Sequence, residues 1–163
     1  MATPKPQPTR AISVVPSPLC NIPNPALLIA DCTVVLVEEA NILTLSGLPM
    51  SAQELGIKAG DIIYVSVEAG LTITGVVSSN QVSVNIPNDP LAPTQIVNEP
   101  SKIYNGEDNN QGCVLYVGTG GSLETITAGG DVAVYQNVQA GTFIPVQTLA
   151  VTDGLAENIV ALW

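Results

Sequence analysis

From Ala26 onward, apolar and polar residues alternate in short runs with the two-residue period of strands, not the 3.6-residue period of helices. "TVVLV" (33–37) is β-branched and bounded by Glu38 and Glu39, and "NILTLSG" (41–47) alternates Ile42 and Thr44 with Leu43 and Leu45. A strand is predicted over Asp61 to Val67, and two more in "LTITGVVSSNQVSVNI", joined by the tight connection "SSNQ" at 78–81. Residues 87–100 hold four prolines and read as a linker; "SKIY" after them is a short strand. The last third is a series of strands with glycine turns: "CVLYVG", "SLETITA", "VAVYQNV", "FIPVQTLAV" and "NIVALW", separated by "TGG", "GGD", "QAGT" and "TDG". "GTGG" (118–121) and the Asp-Gly of "TDG" are expected to be hairpin turns. This spacing predicts an all-β protein, with an antiparallel sandwich or jelly roll at the C-terminal end. The one helix signal is "SAQELG", where Ser51 and Glu54 stand at capping-box spacing and Gly56 is a stop; it predicts a single turn or slightly more.

Both ends of the chain depart from the ordinary. Seven of the 13 prolines lie in residues 1–25, so this segment is an extended arm in which only "AISVV" (11–15) can pair as a strand. The single tryptophan is the last residue, Trp163. In a strand, Ile159, Ala161 and Trp163 face one side and Val160 and Leu162 the other. Both faces are apolar, so the last strand should be covered on both sides, as a central or inter-subunit element. Trp163 either closes the core of its own sandwich or anchors an interface.

Composition narrows the function. Charged residues make up only 11%, and 14 acidic residues against Lys5, Arg10, Lys58 and Lys102 leave a formal net charge of −10. That balance disfavours nucleic acid and anionic membrane surfaces, which need clustered cations. Lys5 and Arg10 make the first ten residues a local basic arm and candidate contact residues for an acidic neighbour. "MATPKPQPTR" has no apolar core of a secretory signal, and "ALLIADCTVVLV" (26–37) is broken by Asp31 and too short to span a bilayer. Cys20, Cys32 and Cys113 show no CxxC spacing and there is no histidine; reduced, mostly buried thiols are expected, and no zinc.

Catalytic inventory is thin. Without histidine, the usual general base and orienter of a nucleophile is missing, and neither Lys58 nor Lys102 sits in a recognisable Ser-Lys motif. "GTGG" lacks the lysine of a phosphate loop, and "TDGL" (152–155) lacks the hydroxyl residue after the aspartic-protease motif. Adjacent Glu38 and Glu39 would point to opposite faces of a strand. Glu107, Asp108 and Asn109 in "GEDNN" form a weak candidate calcium loop without the spacing of a known one. The aromatics fall one per strand, as core residues would. The expectation is a protein that is no enzyme and takes no cofactor, with its function in shape, assembly or binding.

The C-terminal third, "GCVLYVGTGGSLETITAGGDVAVYQNVQAGTFIPVQTLAV…AENIVALW", resembles a small virion-protein family of tailed phages and gene transfer agents, whose members include head spike base proteins. The resemblance rests on Leu115–Gly121, Ala128–Val134, Asn137–Val146 and Asn158–Trp163. "AISVVPSPLCNIPNP" (11–25) is similar to the family's opening stretch, which there stands shortly before "LYVG". The resemblance therefore implies an insertion. An extended Pro-rich arm (1–25) would be followed by a small barrel-like β domain (26–102, with linker 87–100) and a β-sandwich virion domain (103–163), with 11–25 pairing onto the latter. It implies a capsid decoration or cement protein, or a head spike or fibre base, on the capsid exterior. Its partners would be the major capsid protein or other virion proteins, and further copies of itself as a trimer or pentamer, after synthesis in a bacterial cytoplasm. A neck, tail or baseplate component and a host-surface or glycan-binding module are the alternative readings.

Overall fold

The computed structural model describes residues 8–37, 41–65, 69–86, 98–106 and 112–163, which pair into a closed barrel and a second sheet. The first strand, β1 (Ala11–Ser13), is the short pairing segment of the proline-rich arm. It is followed by β2 (Leu28–Val37), β3 (Ile42–Ser46), β4 (Ile62–Val65), β5 (Ala69–Ser78), β6 (Gln81–Val84) and β7 (Glu99–Tyr104). These last six close into an antiparallel barrel in the order β2-β3-β6-β5-β4-β7. Closure removes the free edges that an open sheet would leave. Val34, Leu43, Ile63, Ile73, Val82 and Ile103 fill the barrel and are wholly buried.

Two local signals explain how the barrel is built. The capping box forms reciprocally: the Glu54 N–H donates to Ser51 Oγ at 3.3 Å, and the Ser51 N–H donates to Glu54 Oε2 at 3.1 Å. One helical turn follows, closed by the Leu55 N–H on the Ser51 carbonyl at 3.0 Å and ended by Gly56 at φ 74°. That turn delivers Ala52 and Ile57 into the barrel core. Strand β4 is buried along its whole length, because Ile63 and Val65 fill the barrel while Ile62 and Tyr64 are covered from outside by Ile12, Val15 and Cys20. A strand covered on both faces has no polar parity, which is why "IIYV" shows none.

Strand β7 runs across the 102/103 division drawn from the sequence. Ile103 and Tyr104 pair with Ala30 and Leu28 of β2, so the barrel continues to Tyr104; the buried Ile103 side chain holds it there.

The second sheet contains β8 (Cys113–Thr119), β9 (Gly121–Thr127), β10 (Val132–Val138), β11 (Thr142–Gly154) and β12 (Glu157–Leu162), in the order β1-β12-β8-β11-β9-β10. β11 is the long member: its first half pairs with β8 and its second half with β9, with register shifts between. Both halves bury side chains in one core that includes Leu115, Leu123, Ile144, Val151 and Ile159.

Only the turn around Gly130 joins hydrogen-bonded neighbours in this sheet, β9 and β10. "TGG" is not a hairpin turn. It carries the chain from β8 across to β9, two strands that are not paired, and its main chain passes against residues 155 and 156. "TDG" is not a turn either: Asp153 and Gly154 lie in β11 opposite Glu124 and Leu123, and the chain turns after them. Turn-forming residues state that the chain can bend, but the strand-pairing partner is selected by the shared core.

Residues 14–22 strap the two units together. On the sheet side, Val14, Ser17 and Ile22 donate main-chain N–H groups to the carbonyls of Ile159, Val151 and Leu149. On the barrel side, the Ser17 hydroxyl donates to the Gly70 carbonyl at 2.8 Å, and Thr72 Oγ1 and Asn85 Nδ2 donate to the Leu19 carbonyl at 2.6 and 3.0 Å. The prolines interrupt ladder pairing with either unit, so the segment can bond to both.

Candidate interaction surface

Strand β12 lies between β1 and β8, and its two parities have different fates. Ile159 and Ala161 are buried, and Trp163 packs against the same core as a partly buried residue. Its indole Nε1 is buried with no hydrogen-bond partner among the described residues. The main-chain N–H of Trp163 donates to the Arg10 carbonyl at 3.1 Å, and its carbonyl accepts the Thr9 N–H at 2.6 Å. The structure thus brings Arg10 and Trp163 together through the main chain, and leaves the Arg10 side chain exposed. Lys5 lies outside the described residues, as do Glu38, Glu39, Glu107, Asp108 and Asn109.

The other parity builds an apolar outer face. Val160 lies opposite Tyr116 and Leu162 opposite Val114, while Phe143 on β11 lies opposite Tyr116 from the other side. Val114, Tyr116, Val160 and Leu162 are half-buried, and Phe143 is 57% exposed. The Tyr116 and Phe143 rings are 5.2 Å apart, tilted by 57°. On the edge strand β1, Ala11 and Ser13 continue the face beside Leu162 and Val160.

The expectation that every aromatic is a core residue is therefore corrected for these two. Tyr64 and Tyr104 are buried in a T-shaped pair 6.1 Å apart, and Tyr135 and Trp163 pack against the sheet core. Tyr116 and Phe143 occupy the opposite parity from Leu115 and Ile144, which the core takes. The signal was present in "VLYV": like "IVAL", it is apolar on both parities, and one sheet can bury only one of them in its own core.

A groove of about 670 Å³ separates β1 from the barrel. Ala11 and Ser13 form one wall, Leu28 and Lys102 the other, with Tyr64 and Tyr104 at its base. On the barrel wall Lys102 pairs with Asp31, a hydrogen-bonded ion pair that raises the lysine pKa. Buried Asp61 accepts main-chain N–H groups from Lys58 at 2.9 Å and Gly106 at 3.1 Å, so each carboxylate oxygen serves the barrel's own backbone. The three cysteines are free thiols, Cys32 and Cys113 buried and Cys20 half-buried. Burial pushes Cys20 and Cys113 up to about 12 and Cys32 up to about 11, values at which a thiol stays protonated near neutrality. Among the described residues, no three His, Cys, Asp or Glu side chains converge on a point where a metal could sit.

In comparisons with known proteins, the chain matches no family model, no curated protein and no solved structure.

Proposed function

We propose that this protein is a non-enzymatic structural component of a virion, a capsid decoration or cement protein or the base of a head spike or fibre. It would sit on the capsid exterior, bound to the major capsid protein by surface complementarity. One observation carries the reading: the segments on which the family resemblance rests lie together in one sheet. Leu115–Gly121 forms β8 and the crossing into β9, and Ala128–Val134 forms the turn into β10. Asn137–Val146 leads from β10 into β11, and Asn158–Trp163 forms β12. The similar opening stretch supplies β1, which pairs with β12 although the whole barrel stands between them in the sequence.

The physical character of the surface supports the same reading. The outer face of β12, β8 and the first half of β11 carries Val114, Tyr116, Phe143, Val160 and Leu162 and no charged side chain, and such a face associates through area and shape, the terms on which stable protein–protein interfaces are built. The strap ties barrel and sheet together by hydrogen bonds to both, so the two units would attach to a particle together.

Purified particles from a producing host, analysed by quantitative mass spectrometry, test the reading. The chain is expected to copurify with particles in the high copy number of a symmetric head lattice. A few copies per particle would move it to the neck or tail. Recovery only in the particle-free lysate would overturn a virion role.

A further inference from the structure

We infer that the proline-rich segment before Pro8 lies over Trp163 of its own chain, where a main-chain carbonyl of residues 4–7 accepts the indole N–H. The indole raises the question. Its Nε1 is buried, and no described residue offers it an acceptor. The cluster that Trp163 packs against is apolar, with Ile159 and Ala161 among its members. A buried donor left unpaired costs its full desolvation penalty, and native folds pair the large majority of such groups. The acceptor therefore comes from outside the described residues.

The main chain identifies the occupant. In a straight strand, successive N–H groups point to opposite edges. Thr9 and Arg10 are successive, yet both donate to the Trp163 carbonyl, at 2.6 and 3.4 Å. The chain thus leaves the ladder at Thr9, and it does so against Trp163. Residues 1–7 lie outside the described residues, and the segment that enters at this point is "PKPQP" (4–8). Its chemistry matches the orphan donor. Pro4, Pro6 and Pro8 each bring a carbonyl and no N–H, and an extended proline-rich chain makes no internal hydrogen bonds. Proline-rich segments also dock against aromatic side chains, which is how aromatic-lined grooves hold them. Such a chain advances about 3.1 Å per residue, so the residues just before Thr9 are within reach of the indole. The tether through Thr9 gives these carbonyls a high effective concentration at Trp163, whereas an acceptor from another molecule would need an interface to bring it there. Lys5 would then be held beside the end of β12 and not on a free arm.

The inference stands on Trp163 and the arm and does not depend on the virion reading. Trp163 is the only tryptophan, so its fluorescence and its indole N–H resonance report on this site without labelling. In the full-length chain, nuclear Overhauser contacts are expected between the indole N–H proton and the ring protons of Pro4 or Pro6. Deleting residues 2–7 should speed exchange of the indole N–H by about tenfold, the worth of one hydrogen bond, and raise quenching of Trp163 by acrylamide, with the far-UV spectrum unchanged. If the shortened chain does not fold, the Overhauser contacts in the intact protein decide by themselves. Their absence overturns the inference. So does a folded deletion variant whose indole exchange and quenching match the wild type. Contacts that appear only as protein concentration rises would assign the acceptor to the arm of a second copy and equally overturn it.

Discussion

Arg10 and Trp163 meet across a main-chain pair: the Trp163 N–H donates to the Arg10 carbonyl at 3.1 Å and the Arg10 N–H donates back at 3.4 Å. The proline-rich arm and the last residue are thereby parts of one ladder, with Ala11, Ile12 and Ser13 opposite Leu162, Ala161 and Val160. The last strand is held on one edge by β8 and on the other by β1, and Trp163, just beyond it, is tied to Thr9 and Arg10 by main-chain hydrogen bonds.

Trp163→Ala should destabilise the protein by about 3 kcal/mol, the low end for truncating a core aromatic, because Trp163 is only partly buried. For a chain of this size that lowers Tm by roughly 10 °C. Deleting Leu162 and Trp163 together also removes the bonds to Thr9 and Arg10, and should release β1 from the sheet. Unchanged melting of the truncated protein would show that the chain end contributes nothing to the core.

Ser17→Ala removes the hydroxyl that donates to the Gly70 carbonyl and accepts the Leu19 N–H. Ser17 is 6% exposed, so a buried carbonyl loses its partner at the seam between barrel and sheet. The expected cost is about 1–2 kcal/mol in a denaturant titration. Hydrogen exchange should rise first at Leu19, where the strap contacts the barrel.

Gly121→Ala tests the crossing. A Cβ there would stand 2.5 Å from the Leu155 carbonyl carbon and 2.6 Å from the Ala156 nitrogen. Both are main-chain atoms that cannot rotate away, so the loss should reach about 3 kcal/mol, the upper end for overpacking. If the "TGG" segment were a free hairpin turn, the same substitution would be nearly neutral.

Alkaline pH should unfold the protein by way of its thiols. Burial raises all three, with the Asp31 carboxylate adding to the effect at Cys32 and a hydrogen bond with Ser17 partly offsetting it at Cys20. Below the ordinary thiol value of 9.0 both folded and unfolded chains are protonated, and stability is complete. Above it the unfolded chain ionises while the native thiols stay neutral, so stability falls as pH rises toward about 11 to 12. Urea midpoints at pH 8 and about 10.5 should differ in that direction, and a Cys113→Ala variant should show a shallower slope.

Much of the architecture was legible from residues alone. Period-two alternation located the strands on both sides of the linker, because burial of one face imposes that period directly on the sequence. The capping box at Ser51 and Glu54 and the stop at Gly56 were readable for the same kind of reason: each acts within a few residues of itself. So was the double-sided apolar character of "NIVALW", but not the outcome: the fold itself buries Ile159 and Ala161 and leaves Val160 and Leu162 half-buried. Long-range pairing was not readable. "TGG", "TDG" and "GGD" carry similar turn chemistry, but only the last joins neighbouring strands, since a partner is chosen by which side chains meet in the core. The parity of Phe143 was likewise undetermined until β11 took its register against β8. Local residue types by themselves determined where this chain extends and where it bends. Tertiary packing alone decided which strands lie side by side, that β7 closes the barrel, and that one of two apolar parities of β12 and β8 is left facing outward, because a single sheet can fold its core on only one of its faces.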